Sequence, residues 1–376
     1  MKKCEIMRPV AIVFGTRPEA VKLAPIAQAL GKSKVPFKIF VTAQHRSLLD
    51  QTLAVFGLSA DVDLDLMRHN QKLTDFGARA LKSLGQLFRK ENPSLVLVQG
   101  DTSTVFLGAL AAFYEKIPVG HVEAGLRSFD MEHPFPEEGN RALTSKVTAL
   151  HFAPTEQARL NLLREGIDEE KIFLTGNPAI DSLKFMARSL KKRKPVKELA
   201  QLLAKRRKRI AITAHRRENF GQPMEDIFQA FCQIAQARPD VDLIYPVHPN
   251  PNIRKVAERI MGTHSNIHLL EPLNYLDFTT LLSKSHLCLT DSGGVQEEAP
   301  SFGLPILVLR ETTERPEGVA AGCSELVGSN KDLITRRALE LLKEKRRRKI
   351  PNPYGDGKAS QRIAKIIKKF LHQGSK

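Results

Sequence analysis

Three carboxylates, two at strand ends and one in a loop, give the first chemical signal in this 376-residue chain. Asp101 follows the apolar run Leu95-Val96-Leu97-Val98 and the pair Gln99-Gly100. Glu123 follows Val119-Gly120-His121-Val122. Glu137 stands in the proline-rich loop Pro134-Phe135-Pro136-Glu137-Glu138-Gly139-Asn140-Arg141, which enters a helix. A short buried strand that runs into a carboxylate places it at the carboxyl edge of a parallel sheet, where open α/β folds bind ligands. One such carboxylate is commonly a helix cap or a structural ion pair. Three of them, with Arg127 and Arg141 close by in sequence, point to proton transfer, because like charges brought together raise one another's pKa. His215 adds an imidazole at the end of Ile210-Ala211-Ile212-Thr213, beside Arg216 and Arg217.

A second chemistry lies in Asp291-Ser292-Gly293-Gly294-Val295-Gln296-Glu297-Glu298, which follows the apolar run Leu287-Cys288-Leu289. A strand that ends in Ser-Gly-Gly and turns into a helix presents backbone N–H groups, and the helix N-terminus favours negative charge. This is a cradle for a phosphate or diphosphate, with the Glu298 carboxylate placed to accept from sugar hydroxyls. The plain alternative is an ordinary glycine-rich turn. Near the N-terminus, Arg17 and Lys22 stand where the strand Val10-Ala11-Ile12-Val13-Phe14 gives way to a helix, and either could meet an anion or be a surface charge.

The elements that must position these groups alternate between apolar strands and amphipathic helices. That pattern specifies α/β architecture with parallel sheets, right-handed crossovers and ligands at the carboxyl ends. Strands are expected at 10–14, 38–41, 95–98, 118–122, 149–153 and 172–174, and again at 210–213, 243–247, 267–270, 287–289 and 305–309. The stretch 104–114 is nearly all apolar and predicts a buried helix. The strand pattern stops between the two sets, so a boundary is placed at Gly176-Asn177-Pro178. Residues 1–176 form the expected first domain and 177–358 the second. Residues 359–376 carry Ile363, Ile366, Ile367 and Phe370 at helical spacing, an amphipathic helix that must dock somewhere.

Composition narrows the partners. The hydrophobic content of 42% and charged content of 26% describe a globular chain. No apolar run has membrane-spanning length, and the first residues lack the apolar core of a signal peptide. Cys4, Cys232, Cys288 and Cys323 show no C-x-x-C spacing, so neither zinc nor a disulfide framework is expected and a reducing cytoplasm is. The net charge of +17 sits largely in 191–194, 205–209 and 343–349. There is no Trp, and no aromatics interleave with these runs, so nucleic-acid binding is not expected and an acidic small substrate is.

Taken together, Gly15-Thr16-Arg17-Pro18-Glu19-Ala20, Gly100-Asp101-Thr102, His121-Val122-Glu123-Ala124-Gly125-Leu126-Arg127, Pro136-Glu137-Glu138 with Asn140-Arg141, His215-Arg216-Arg217-Glu218-Asn219, and Thr290-Asp291-Ser292-Gly293-Gly294 with Glu297-Glu298 resemble the non-hydrolysing UDP-N-acetylglucosamine 2-epimerases. The resemblance runs in order from about Val10 to beyond Arg315. It implies two Rossmann-like domains facing across a cleft, as in GT-B enzymes, with the C-terminal helix returning to the first domain, and a homodimer. It implies reversible exchange of UDP-N-acetylglucosamine and UDP-N-acetylmannosamine, without a metal or redox cofactor. By the same resemblance Asp101, Glu123, Glu137 and His215 are catalytic. Arg17, Lys22, Arg141, Ser292, Gly293, Gly294, Glu298 and Arg315 bind the nucleotide sugar. Gln44, His45, Gln71, Arg216 and His248 match a second, activating substrate site, and Asn70 departs from the basic residue expected before Gln71 in activated members.

Other functions fit parts of this pattern. A hydrolysing 2-epimerase shares the carboxylates and admits water. An epimerase of a UDP-diacetamido uronic acid sugar needs an extra cation in the sugar pocket. A GT-B glycosyltransferase uses the same fold and does not need Glu123 and Glu137. A nucleotide-sugar sensor would need none of the carboxylates.

Overall fold

In the computed structural model the described residues are 7–42, 46–68, 71–190, 194–343 and 351–373. They divide into two compact units, Met1–Ser182 with Tyr354–Lys376, and Leu183–Pro353. The first unit contains β1 (Val10–Phe14), β2 (Phe37–Val41), β3 (Val62–Asp63), β4 (Leu95–Gln99), β5 (Val119–Val122), β6 (Leu150–Ala153) and β7 (Ile172–Leu174). They form one wholly parallel sheet in the order β3-β2-β1-β4-β5-β6-β7. The central strands are buried on both faces, which is why they read as unbroken apolar runs instead of alternating ones.

Two apolar layers cover that sheet. On one face Val10, Ile12 and Phe14 of β1 meet Leu23, Ile26 and Leu30 of the helix Arg17–Lys32. On the other, Val13, Val96 and Val98 meet the helices Leu73–Glu91 and Ser103–Tyr114. The helix Ala359–Gln373 joins the first layer through Ile363, Ala364 and Ile367 and packs against Arg17–Lys32. Its start is fixed by Asp181, whose carboxylate accepts from Ala359 N (3.1 Å) and Ser360 N (2.9 Å). The apolar helix Ser103–Tyr114 is buried over most of its length, but its end is not: Phe113 and Tyr114 are 54% and 61% exposed.

The second unit repeats the design with β8 (Lys208–Thr213), β9 (Val241–Pro246), β10 (Ile267–Leu270), β11 (Leu287–Thr290), β12 (Ile306–Val308) and β13 (Ser324–Leu326). These form a parallel sheet in the order β10-β9-β8-β11-β12-β13. Both sheets therefore reverse direction once, between β1 and β4 and between β8 and β11. Such a switch point leaves a crevice at the carboxyl edge. Among the described residues, no helix is long and apolar enough to cross a membrane.

The basic run 205–209 is not simply a solvated face. Arg209 is buried and donates to the carbonyls of Leu202, Leu203 and Lys205, and Lys208 reaches Leu342 O. The run at 344–349 lies outside the described residues.

Ile367 is fully buried in the layer that seats the C-terminal helix. Replacing it with Ala removes three carbons from a packed site, and Ile367→Ala should lower stability by about 3 kcal/mol. Urea unfolding followed by circular dichroism measures this; an unchanged midpoint would mean the helix is only loosely docked.

Candidate active site

The crevice of the first unit is lined by the turns that follow β1, β4 and β5. Thr16 caps the helix Arg17–Lys32, and Glu19 returns its carboxylate to the turn in a capping box. Glu19 Oε2 accepts from Gly15 N (3.0 Å) and Thr16 N (2.7 Å), while Oε1 accepts from Thr102 Oγ1 (2.8 Å), beyond β4. Thr102 in turn caps the helix Ser103–Tyr114. Asp101, one residue earlier, is held by Arg141 through Nε (2.9 Å) and Nη2 (2.5 Å), and its carbonyl accepts from Asn140 (2.9 Å). Arg141 is buried and also reaches Glu138 (3.0 Å), whose carboxylate accepts from the amides of Ser128 and Phe129.

Glu123 ends β5 with φ +64°, a left-handed conformation that a non-glycine residue seldom adopts. Its carboxylate is buried and takes Lys22 Nζ at 2.6 Å and Gln99 Nε2 from the end of β4. Gly125 has φ +91°, and a Cβ there would lie 2.1 Å from Ala158 O, so only glycine fits against the neighbouring helix. Glu137 is the first residue of the helix Glu137–Val147, where the dipole favours a carboxylate. Arg17 occupies the first position of its own helix.

The structure thus brings together Asp101 and Glu123 with Lys22 and Arg141. It does not give Arg127 to them. That guanidinium is buried and spent on Glu165, Ser145 Oγ and Leu126 O. Behind the carboxylates, His121 Nε2 donates to Gly100 O at 2.7 Å. Burial pushes the His121 imidazole down to about 4, and burial followed by its neighbour His121 pushes His151, its register partner on β6, down to about 3.

The crevice of the second unit has other chemistry. Asp291, fully buried beyond β11, accepts from His215 N (2.6 Å) and Arg216 N (2.8 Å) beyond β8 through Oδ2. His215 Nδ1 stands 3.5 Å from Asp291 Oδ1, and the ring stacks on His248 with centroids 5.5 Å apart. Ser292 is the cap residue of the short helix Gly293–Glu298 and makes no side-chain cap bond. Arg315 packs on Gly293: a Cβ there would sit 2.5 Å from its Cζ. Glu297 Oε1 fixes the same guanidinium at 2.8 Å, and Glu298 accepts from Tyr275 Oη at 2.8 Å. Burial alone would raise the Glu314 carboxyl, but Arg315 and Arg310 beside it hold it down to about 2.

The second unit therefore gathers His215, Ser292, Gly293, Gly294, Glu298 and Arg315 around β8 and β11. Of the residues matched to an activating site, Arg216 and His248 adjoin this crevice. Gln71 lies in the first unit, bonded to Arg79 and Met67. Gln44, His45 and Asn70 lie outside the described residues. Glu19, Gln99, Asp291 and Tyr275 were given no separate role from sequence. Only Glu19 had a readable signal, the Thr16-x-x-Glu19 capping box.

The two buried histidines fix a pH dependence. An unfolded histidine titrates near 6.5, whereas His121 and His151 do so at about 4 and about 3. On acidification the unfolded chain binds these protons first, so stability falls from pH 6.5 down to about 4, by roughly 1.4 kcal/mol per pH unit per proton. His151→Leu should remove about one proton from that slope, read from denaturation midpoints at each pH; an unchanged slope would mean His151 is already charged when folded.

The model of the UDP-N-acetylglucosamine 2-epimerase family matches residues 28–368. The chain is 48% identical to the UDP-N-acetylglucosamine 2-epimerase of Bacillus subtilis strain 168, across 100% of this chain and 97% of that one. It is 46% identical to the Escherichia coli K12 enzyme of the same name, across 96% and 98%. The crystal structure of the Neisseria meningitidis UDP-GlcNAc 2-epimerase bound to UDP-GlcNAc superposes with a TM-score of 0.89 at 44% identity, covering 96% of this chain and 100% of that one. With two doubly wound parallel sheets and matches that span nearly the whole chain, this protein belongs to the UDP-N-acetylglucosamine 2-epimerase family.

Proposed function

We propose that the chain epimerises UDP-N-acetylglucosamine reversibly at C2, by elimination of UDP and re-addition. The observation that carries this is the unlike chemistry of the two crevices. One offers carboxylates held by cations, and the other offers a helix start without a side-chain cap bond, an arginine and an imidazole. The family and the UDP-GlcNAc bound in the Neisseria structure support the same reading.

The chemistry explains the need for both. The C2 proton of an N-acetylhexosamine is not next to a carbonyl, so direct deprotonation is too costly. Breaking the C1–O bond sends its electron pair to the diphosphate and builds positive charge at C1. The C2 proton then passes to a carboxylate, and the C–H electrons form the C1=C2 bond of 2-acetamidoglucal. On return, a proton reaches the opposite face of C2 while the diphosphate oxygen attacks C1. Asp101, Glu123 and Glu137 share the proton transfers, one acid/base group being needed on each face. Arg141 and Lys22 aim the first two. Ser292, Gly293, Gly294 and Arg315 hold the diphosphate, Glu298 the ribose, and Arg17 the nucleotide sugar. His215 assists at the leaving phosphate, its backbone fixed by Asp291. Water must be kept from the glucal, or hydrolysis replaces re-addition.

A second substrate site that uses Arg216 and His248 is favoured by one contact. His248 stacks on His215, so a ligand that engaged His248 would press on a catalytic group. A homodimer is favoured by the exposed pair Phe113 and Tyr114, with exposed Leu143 on the helix that packs against theirs. A reducing, cytoplasmic setting suits the free thiols of Cys232, Cys288 and Cys323.

Proton NMR of the enzyme with UDP-N-acetylglucosamine in D2O should show UDP-N-acetylmannosamine, with deuterium at C2 in both epimers. Glu123→Gln and Asp101→Asn should each lower turnover by about 100-fold or more while UDP still binds. Free N-acetylmannosamine and UDP as main products would place the chain among hydrolysing enzymes, and absence of exchange would end this assignment. Light scattering should give twice the chain mass, and Phe113→Asp with Tyr114→Asp should halve it; a wild-type monomer would refute the dimer.

A further inference from the structure

Glu19 is a buried carboxylate, 2% exposed, to which the mechanism above assigns nothing. No cation contacts it among the described residues. Its acceptors are filled by two backbone amides, Gly15 N and Thr16 N, and by the Thr102 hydroxyl. Burial raises its affinity for a proton, and those three bonds oppose the rise. The two helices that begin on either side, Arg17–Lys32 and Ser103–Tyr114, are capped by Thr16 and Thr102. Each brings the positive end of its dipole toward the carboxylate.

In a doubly wound fold this place, the amino end of the first helix beside the switch point, is where a phosphate is ordinarily bound. Here the chain fills it with its own anion. One Glu19 oxygen holds the turn that leads to Arg17, and the other holds the turn that carries Asp101. We propose that Glu19 is a positioning residue for the elimination, an internal anion that locks the Arg17 turn to the Asp101–Thr102 turn and closes the first unit's phosphate seat. The nucleotide's diphosphate is thereby left to the second unit, where the cap residue of the short helix after β11 makes no side-chain cap bond. This role rests on the C2 epimerisation proposed above.

A residue that only capped a helix would change stability and leave the per-molecule rate intact. A positioning residue changes the rate at constant affinity for UDP, because misplacing a reacting group by about 1 Å can cost about 100-fold. The test compares wild type, Glu19→Gln and Glu19→Ala in the C2 exchange assay in D2O, at a temperature where thermal scans show all three folded. Calorimetry measures UDP binding on the same samples. Glu19→Gln keeps the shape and one acceptor oxygen for the two amides and should lose about 10-fold in kcat. Glu19→Ala should lose about 100-fold, with the UDP Kd within about 2-fold of wild type. Sodium formate, a free carboxylate small enough for the vacated space, should restore the Ala variant by about 5-fold or more and leave wild type unaffected. Wild-type kcat in Glu19→Gln, or an Ala variant that formate does not restore and that loses UDP binding in parallel, would overturn the role. An inert wild type would remove the reaction and this role together, whereas exchange by wild type that neither variant alters would remove the role alone.

Discussion

The structure depends on how each sheet is closed where its strand order reverses. At that point the turn after the first central strand has amides with no strand beside them, and buried amides need partners. Both units solve this with a buried carboxylate. Glu19 accepts from Gly15 N and Thr16 N and bridges to Thr102, and Asp291 accepts from His215 N and Arg216 N. Burying a carboxylate costs free energy unless its lone pairs are filled by donors, and converging amides supply that compensation. Arg17, Asp101, His215 and the Ser292–Gly294 turn are each within a few residues of one of these sutures.

The two sutures are built from opposite sides, and the difference decides the chemistry. In the first unit the carboxylate comes from the helix after β1 and occupies the amino end of that helix. In the second it comes from the turn after β11 and reaches back to the turn after β8, and the cap residue of Gly293–Glu298 makes no side-chain cap bond. One topology therefore yields an anion-filled crevice beside Asp101 and Glu123 and an anion-accepting crevice beside His215. The carboxylates of the first would repel a diphosphate, and the amides of the second attract one.

Much of this was legible in the chain. Runs of three to five apolar residues mark the central strands because those strands are buried on both faces. The edge strands β3 and β13 were not legible, having only two and three residues and no apolar pattern. The stretch 104–114 looked uniformly buried, yet Phe113 and Tyr114 are exposed, since hydropathy cannot say where a helix outruns its neighbours. Arg127 looked like a site residue from its nearness in sequence to Glu123, but a strained turn aims it at Glu165 instead. The residue types at Asp101, Glu123 and the Ser-Gly-Gly turn were readable. The partners that aim them, Gln99, Arg141, Tyr275 and Asp291, come from distant segments and required the fold.

The left-handed backbone of Glu123 shows why such aiming matters. A non-glycine residue in that region is disfavoured by about 1–3 kcal/mol and persists only where its surroundings over-determine it. Here they do: Lys22 and Gln99 hold the side chain, and Gly125 lies against Ala158 where no Cβ would fit. The stored strain suits the proposed elimination. Charge develops at C1 and the diphosphate within one step, so groups that stabilise it must be in place before the bond breaks, with no reorganisation left to pay for. A carboxylate free to relax would follow the ground-state sugar; one pinned by a strained turn, a lysine and a glutamine can be placed for the transition state instead.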